Sequence, residues 1–333
     1  MRRAYHPPSD KCVSRRQFLG IGAALAGGSL LRSARSIASQ QPKLVMPRGA
    51  PRSRVVHVRS RMVVDGPIVH RTMFKEMLEE ALTALTGAKD IAQAWRAILK
   101  PDDVIGIKFN RSGQAVIGTT GVVADVLIAS ITEAGWEPAQ LVCIEAPADT
   151  EARHRTTPPR MGYVADATDF GSGSDQLASV LGQVTALIDV PFLKTHNIAG
   201  MTCSLKNLSH ALVKHPAQYH RNGCCPYIAD IVGLPKIRNK LRLCLADALR
   251  VVYDRGPEAT AETISDEGLL LVSFDPVATD AVGLTLLNDA RRRNGLEPIA
   301  RSPGAVGYLA AAHRQGLGIA LLHEIDLVRR NLS

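Results

Sequence analysis

Short apolar runs alternate along this chain with segments of helical spacing. Val55 to Val58 forms a first short run. Met73, Met77, Leu78, Ala81, Leu82 and Leu85, then Ile91, Trp95 and Ile98, recur every three to four residues, which predicts helix over 71–98 with a break near Gly87. Residues 102–109 read as a buried strand, Thr119 to Ala134 as a helix stopped by Gly135, and Leu141 to Ile144 as the next strand. The polar, Pro- and Gly-rich stretch 147–175 predicts a long surface loop. A strand over Ala186–Val190 is ended by Pro191 and runs into Lys194-Thr195-His196; helical spacing resumes over Ala199–Val213. Leu241 to Ala246 and Gly268 to Ser273 are further strands. Asp275 suits an N-cap, with Pro276 at the first position of a helix reaching about Asn288. A last helix is expected from Ala305 to His313. Strands alternating with helices predict an α/β layered fold with a largely parallel or mixed sheet flanked by helices.

The N-terminus departs from this pattern. Ser14-Arg15-Arg16-Gln17-Phe18-Leu19 resembles the twin-arginine export motif, and an apolar run rich in Gly and Ala follows from Ile21 to Leu31. That run is short of the roughly 20 apolar residues a membrane span needs. Ser36-Ile37-Ala38 offers small residues for a signal peptidase. Residues 1–38 therefore read as a twin-arginine signal peptide, 39–53 as a linker, and 54–333 as a single α/β domain with its core motifs at 104–290. The reading implies use of the twin-arginine export machinery, a periplasmic or secreted location, and no membrane span in the mature chain.

Charge sharpens that division. The net charge is +9, yet residues 1–38 hold seven Lys and Arg against Asp10 alone, so only +3 belongs to the rest. The basic balance thus gives no support to nucleic-acid binding. Five cysteines follow Cys12 (Cys143, Cys203, Cys224, Cys225 and Cys244), none spaced Cys-x-x-Cys, which argues against an iron–sulfur cluster and against a paired disulfide framework. The sequence has no Walker loop, Gly-x-Gly-x-x-Gly, Gly-x-Ser-x-Gly or His-Glu-x-x-His motif.

Chemistry-bearing residues instead gather after predicted strand ends: Lys108 and Asn110, Lys194 and His196, Asp247 and Asp254. Open α/β sheets bind ligands beyond the carboxyl ends of their strands. Lys194 and His196, two apart on an extended segment, point the same way. His196, His210, His215 and His220 lie within 25 residues, interleaved with Lys194, Lys206 and Lys214. Lysine supplies fixed positive charge, while imidazole transfers protons or ligates a metal. Lys194, His196, Lys206 and Asp247 are therefore the candidate catalytic residues. Lys108, Asn110, Asn207 and Asp254 are candidates for holding a ligand or cofactor, and His196 and His220 for a metal ion. Lys194, His196, Lys206 and His220 are expected to converge on one cleft, joined by Lys108 or Asp247, with Lys194 facing solvent. Thr202 and Ser204 beside Lys206-Asn207 suggest an anion held at a helix N-terminus. Asp280, inside an apolar helix, points to a buried polar contact.

The run Pro191-Phe192-Leu193-Lys194-Thr195-His196-Asn197-Ile198-Ala199-Gly200-Met201-Thr202, then Ser204-Leu205-Lys206-Asn207-Leu208, resembles the central motif of the domain of unknown function 362 family. Ile107-Lys108-Phe109-Asn110, His220, Ala246-Asp247-Ala248, Gly256-Pro257 and Asp275-Pro276-Val277-Ala278-Thr279-Asp280 match in the same order. The resemblance implies the fold and frequent export by the twin-arginine route, but no activity. Some relatives carry a ferredoxin segment, whose cysteines this sequence lacks. The residues themselves suggest an enzyme acting on a small anionic ligand, with a metal ion as one option. The alternative is a non-catalytic accessory or ligand-binding protein that helps mature an exported redox enzyme.

Overall fold

The computed structural model describes residues 53–150, 162–300 and 305–333. The expected signal peptide, and the linker apart from Ser53, lie outside the described residues.

The strands are β1 (Arg54–Ser60), β2 (Val64–Asp65), β3 (Ile68–Val69), β4 (Ile105–Lys108), β5 (Leu141–Ile144), β6 (Tyr163–Asp169), β7 (Ser174–Ala178), β8 (Ala186–Asp189), β9 (Phe192–His196), β10 (Gly200–Thr202), β11 (Leu241–Val252), β12 (Ile264–Ser273) and β13 (Asp326–Leu332). The described α-helices are α1 (Arg71–Thr86), α2 (Ile91–Ile98), α3 (Gln114–Ile117), α4 (Thr120–Glu133), α5 (Ser204–Ser209), α6 (Tyr227–Val232), α7 (Pro235–Arg238), α8 (Pro276–Arg293) and α9 (Gly307–Arg314). A nine-stranded mixed sheet runs in the order β13-β1-β12-β11-β8-β4-β5, with β9 also paired to β11 and β10 to β9. Its β11-β8-β4-β5 half is parallel, whereas β12 is antiparallel to both β1 and β11.

Period-two alternation buries both faces of the sheet. Leu243 and Leu245 point to the side covered by α1, α2 and α4, with Phe74, Leu78, Trp95 and Leu127. Cys244 and Ala246 point to the side holding α5, α6, α8 and α9, with Leu205, Ile228, Ala278 and Leu309. The molecule is thus an α/β layered fold, as its pattern predicts. Helix α1 stops where expected: Gly87 is left-handed (φ 75°) and its N–H donates to Thr83 O at 2.8 Å. Asp275 caps α8, accepting from Val277 N at 2.8 Å and Ala278 N at 2.9 Å.

Three expectations need correction, and one strand goes unforeseen. The stretch 147–175 is not all loop: in its described part β6 and β7 begin an antiparallel pair despite few apolar residues. Over Ala199–Val213 the chain forms β10, the short α5 and a 3-10 turn rather than one helix. The strand from Leu241 continues past Asp247 to Val252 because β9 and β12 pair with its second half, so Asp247 lies mid-strand. The final strand β13, largely polar and parallel to β1, carries no apolar signal.

Candidate active site

Strands β8 and β9 are two parts of one extended path along β11. Asp189 lies opposite Cys244 and Phe192 opposite Asp247, with Pro191, which has no N–H, at the break. β4, β5 and β8 end side by side at Lys108, Ile144 and Asp189. A cavity of about 540 Å³ opens beyond these ends. Lys194 and His196 line it from β9, Lys206 and Asn207 from α5, and His210 and His220 from the turns after α5. Asn110, Arg111 and Ser112 follow β4, Glu145 follows β5, and Glu258 comes from a loop that crosses to β9. Gly256 makes that crossing possible: its N–H donates to Thr195 Oγ1 at 2.9 Å, and a Cβ there would stand 2.0 Å from Thr195 O.

Lys108 lies beneath the cavity, fully buried. Its Nζ donates to the Phe109 carbonyl, to Glu145 Oε2 at 2.7 Å and to Asn207 Oδ1 at 3.0 Å. Glu145 reaches it from a left-handed backbone (φ 60°), a costly conformation for a non-glycine residue. Asn207 then donates to Asp189 Oδ1 at 2.8 Å. Burial pushes the Asp189 carboxyl up to about 7, against the hydrogen bonds and the Lys108 charge that favour its ionised form. Lys108, Glu145 and Asp189 build a floor that orients Asn207.

Lys194 is 1% exposed, so the expectation of a solvent-facing lysine is corrected. Its Nζ donates to Asn110 Oδ1 at 3.2 Å and to Ser112 O at 2.6 Å. Burial draws its ammonium down to about 8; Glu258 and Glu145 oppose that, and Lys206 and Lys108 add to it. Lys206 is likewise brought to about 8 by burial. Its Nζ lies 3.1 Å from His220 Nε2.

The histidine tautomers follow from their partners. His196 Nδ1 accepts from Ile198 N and Ala199 N, both at 3.1 Å, so its proton sits on Nε2. Burial, then Lys206, His220 and Lys194, hold this imidazole neutral down to about 3. His220 is the opposite tautomer: Nδ1 donates to Pro216 O at 3.0 Å, and Nε2 accepts from Lys206. His210 Nε2 donates to Tyr219 O at 3.2 Å, and its Nδ1 lies 3.0 Å from Ser209 Oγ. Burial and Lys206 lower His210 to about 2. The His220 ring stacks on His196 at 5.4 Å between centroids and meets His210 edge-on at 4.6 Å.

Donor chemistry bears on the metal expectation. His196 in its present tautomer has no lone pair facing the cavity. Ligand atoms of His210, His220 and Cys224 do lie within 4.8 Å of one another. Yet both His210 nitrogens have partners, Lys206 occupies His220 Nε2, and burial raises the Cys224 thiol to about 11. Binding a metal there means breaking those hydrogen bonds and ionising a thiol, so the set fits a metal poorly as it stands.

Lys194, His196, Lys206 and His220 do converge, with Lys108 below them. Three candidates do not line the cavity, and Lys108, expected to hold a ligand, is one of them, its Nζ being committed to Phe109, Glu145 and Asn207. Asp247 is buried away from the cavity, accepting from the Thr119 hydroxyl and from Leu249 N at 3.1 Å. Asp254 pairs with Arg255 and Arg291, each at 3.5 Å, and does not line the cavity. The helix N-terminus is also occupied. Asp280 takes the Leu205 N–H at 3.3 Å, the buried contact its apolar surroundings foretold, so that end of α5 has no room for a ligand. Arg111, Ser112, Glu145 and Glu258 were absent from the sequence reading. Glu145 could have been found as the polar residue directly after the β5 run; Glu258 carries no signal without knowledge of the crossing loop.

Residues 163–285 match a family described as a domain of unknown function (DUF362), so the chain carries that domain across β6 to α8. The match covers Lys194, His196, Lys206, Asn207, His210, His220 and Glu258 of the cavity wall; Lys108 to Ser112 and Glu145 precede it. No curated protein matches the chain.

Proposed function

We propose that this protein is an exported enzyme that binds a small anionic substrate in the β4–β5–β8 cavity and moves protons with lysine and histidine. One observation carries the reading: two lysines balanced near pH 8 and an imidazole Nε2–H line a single cavity of about 540 Å³. Lys194 and the His196 Nε2–H would hold the anion, with Asn110 and Arg111 beside them. Lys206 and His220 would exchange a proton at Nζ and Nε2. Lys108 and Asp189, through Asn207, position these groups from beneath the cavity. The hydrogen bonds already made by the histidines favour a mechanism without metal assistance. Export rests on Arg15-Arg16 and the short apolar run after them, which imply a periplasmic or secreted protein. Among the described residues no helix is long and apolar enough to cross a membrane.

The test is native mass spectrometry and elemental analysis of protein folded in its own host. A small anion displaced by added phosphate or pyruvate, and missing from Lys194→Met, supports the reading. Recovery of a stoichiometric transition metal, lost in Cys224→Ala, contradicts the metal-free version. An obligate partner protein with no turnover of any anion favours the accessory alternative.

A further inference from the structure

Three lysines serve this site, and their partners differ in kind. Lys108 has a carboxylate, an amide oxygen and a carbonyl. Lys194 has an amide oxygen and a carbonyl, and feels the charges of Glu258 and Glu145. Lys206 has one hydrogen-bond partner among the described residues, His220 Nε2. That partner is an imidazole whose other nitrogen donates to Pro216 O, so it offers a lone pair and no negative charge. An amine held in a buried pocket by a proton acceptor, with no carboxylate bonded to it among the described residues, is arranged to react as a free amine.

The geometry points to Lys206 as a nucleophile that forms an imine with a small 2-oxo acid, His220 serving as its proton acceptor. This inference rests on the anion reading of the cavity. The carboxylate would lie at Lys194 and the His196 Nε2–H, leaving the adjacent carbonyl carbon for Lys206. The amine lone pair forms the C–N bond while the carbonyl π pair moves to oxygen, which takes up a proton. His220 Nε2 carries both protons that nitrogen releases, the first to this oxygen to make the hydroxyl and the second to the hydroxyl as it departs. Water leaves, a C=N bond replaces C=O, and no oxidant or reductant is consumed. The depressed proton affinity of Lys206, caused by burial, acts in the same direction.

The full chain is incubated near neutral pH with pyruvate or glyoxylate and cyanoborohydride, then analysed by intact mass and peptide mapping. At pH 7 Lys206 should be labelled on the order of a hundred-fold faster than exposed lysines, from the difference in neutral amine. One reduced adduct per chain is expected, slowed by His220→Asn and absent in Lys206→Arg. Oxalate should protect Lys206 in the unaltered protein, a readout that does not depend on any variant folding. Calorimetry with pyruvate separates the two readings. Binding without an adduct at Lys206 overturns the imine and leaves the anion site standing, whereas neither binding nor adduct overturns both. Equal labelling of Lys206 and surface lysines also overturns it.

Discussion

Lys108 Nζ donates to Asn207 Oδ1 at 3.0 Å, joining the end of β4 to helix α5 across 99 positions of sequence. The bond matters because Asn207 stands beside Lys206 on the cavity wall. Replacing Lys108 by methionine keeps most of the volume but strips Glu145, Asn207 and the Phe109 carbonyl of their common donor. Breaking a buried charged contact in this way costs about 3 kcal/mol. Denaturant melts should register that loss; unchanged stability would show that the floor contributes nothing.

His196 separates a folding role from a binding role. Its Nδ1 holds two backbone N–H groups, while its Nε2–H faces the ligand space. Asparagine can present an oxygen to the backbone donors but not the distal N–H. His196→Asn should therefore stay folded and bind anions more weakly, whereas His196→Ala should lose about 1–3 kcal/mol by orphaning buried donors. Thermal melts beside ligand titrations of both variants distinguish the roles.

Asp247 is expected to be silent in binding. Both its oxygens are used by Thr119 and Leu249, and an amide can satisfy those partners with one bond reversed. Asp247→Asn should leave anion affinity within about 0.5 kcal/mol of the parent, the usual range for changes away from a site. A large loss of affinity would return this residue to the active site.

Exchange of Arg15 and Arg16 for lysine should trap the precursor in the cytoplasm. Immunoblots of cell fractions report this directly, and mature protein still reaching the periplasm would contradict twin-arginine export.

Legibility in the sequence followed physical locality. Helix α1 and its stop at Gly87 are written in spacing and in one backbone conformation, and the α8 cap in the pair Asp275-Pro276. The cavity was legible through Lys194 and His196, because an extended segment fixes which side chains share a side, and because parallel strands end together. What stayed hidden depends on partners distant in the chain. Asp247 resembles a strand end until β9 and β12 extend β11 past it. Lys194 looks solvent-facing until the loop bearing Ser112 covers it. The N-terminus of α5 looks open until Asp280, 75 positions on, takes the Leu205 N–H.

The central claim is that the Lys194 charge, beside the His196 Nε2–H and in the cavity it shares with Lys206, holds an anion, and its pH dependence tests this most directly. Burial lowers both lysines to about 8, so both are charged below that value and lose their protons as pH rises through it. His196 stays neutral far below this range and adds no dependence between pH 6 and 7.5. Calorimetric titration of the protein with oxalate and pyruvate, whose own charge is constant above pH 6, should show saturable binding below pH 8. Above pH 8 affinity should fall about tenfold per unit for each lysine charge required, and Lys194→Met should abolish binding. Absence of binding by every anion, or binding indifferent to pH and to Lys194→Met, would contradict the account.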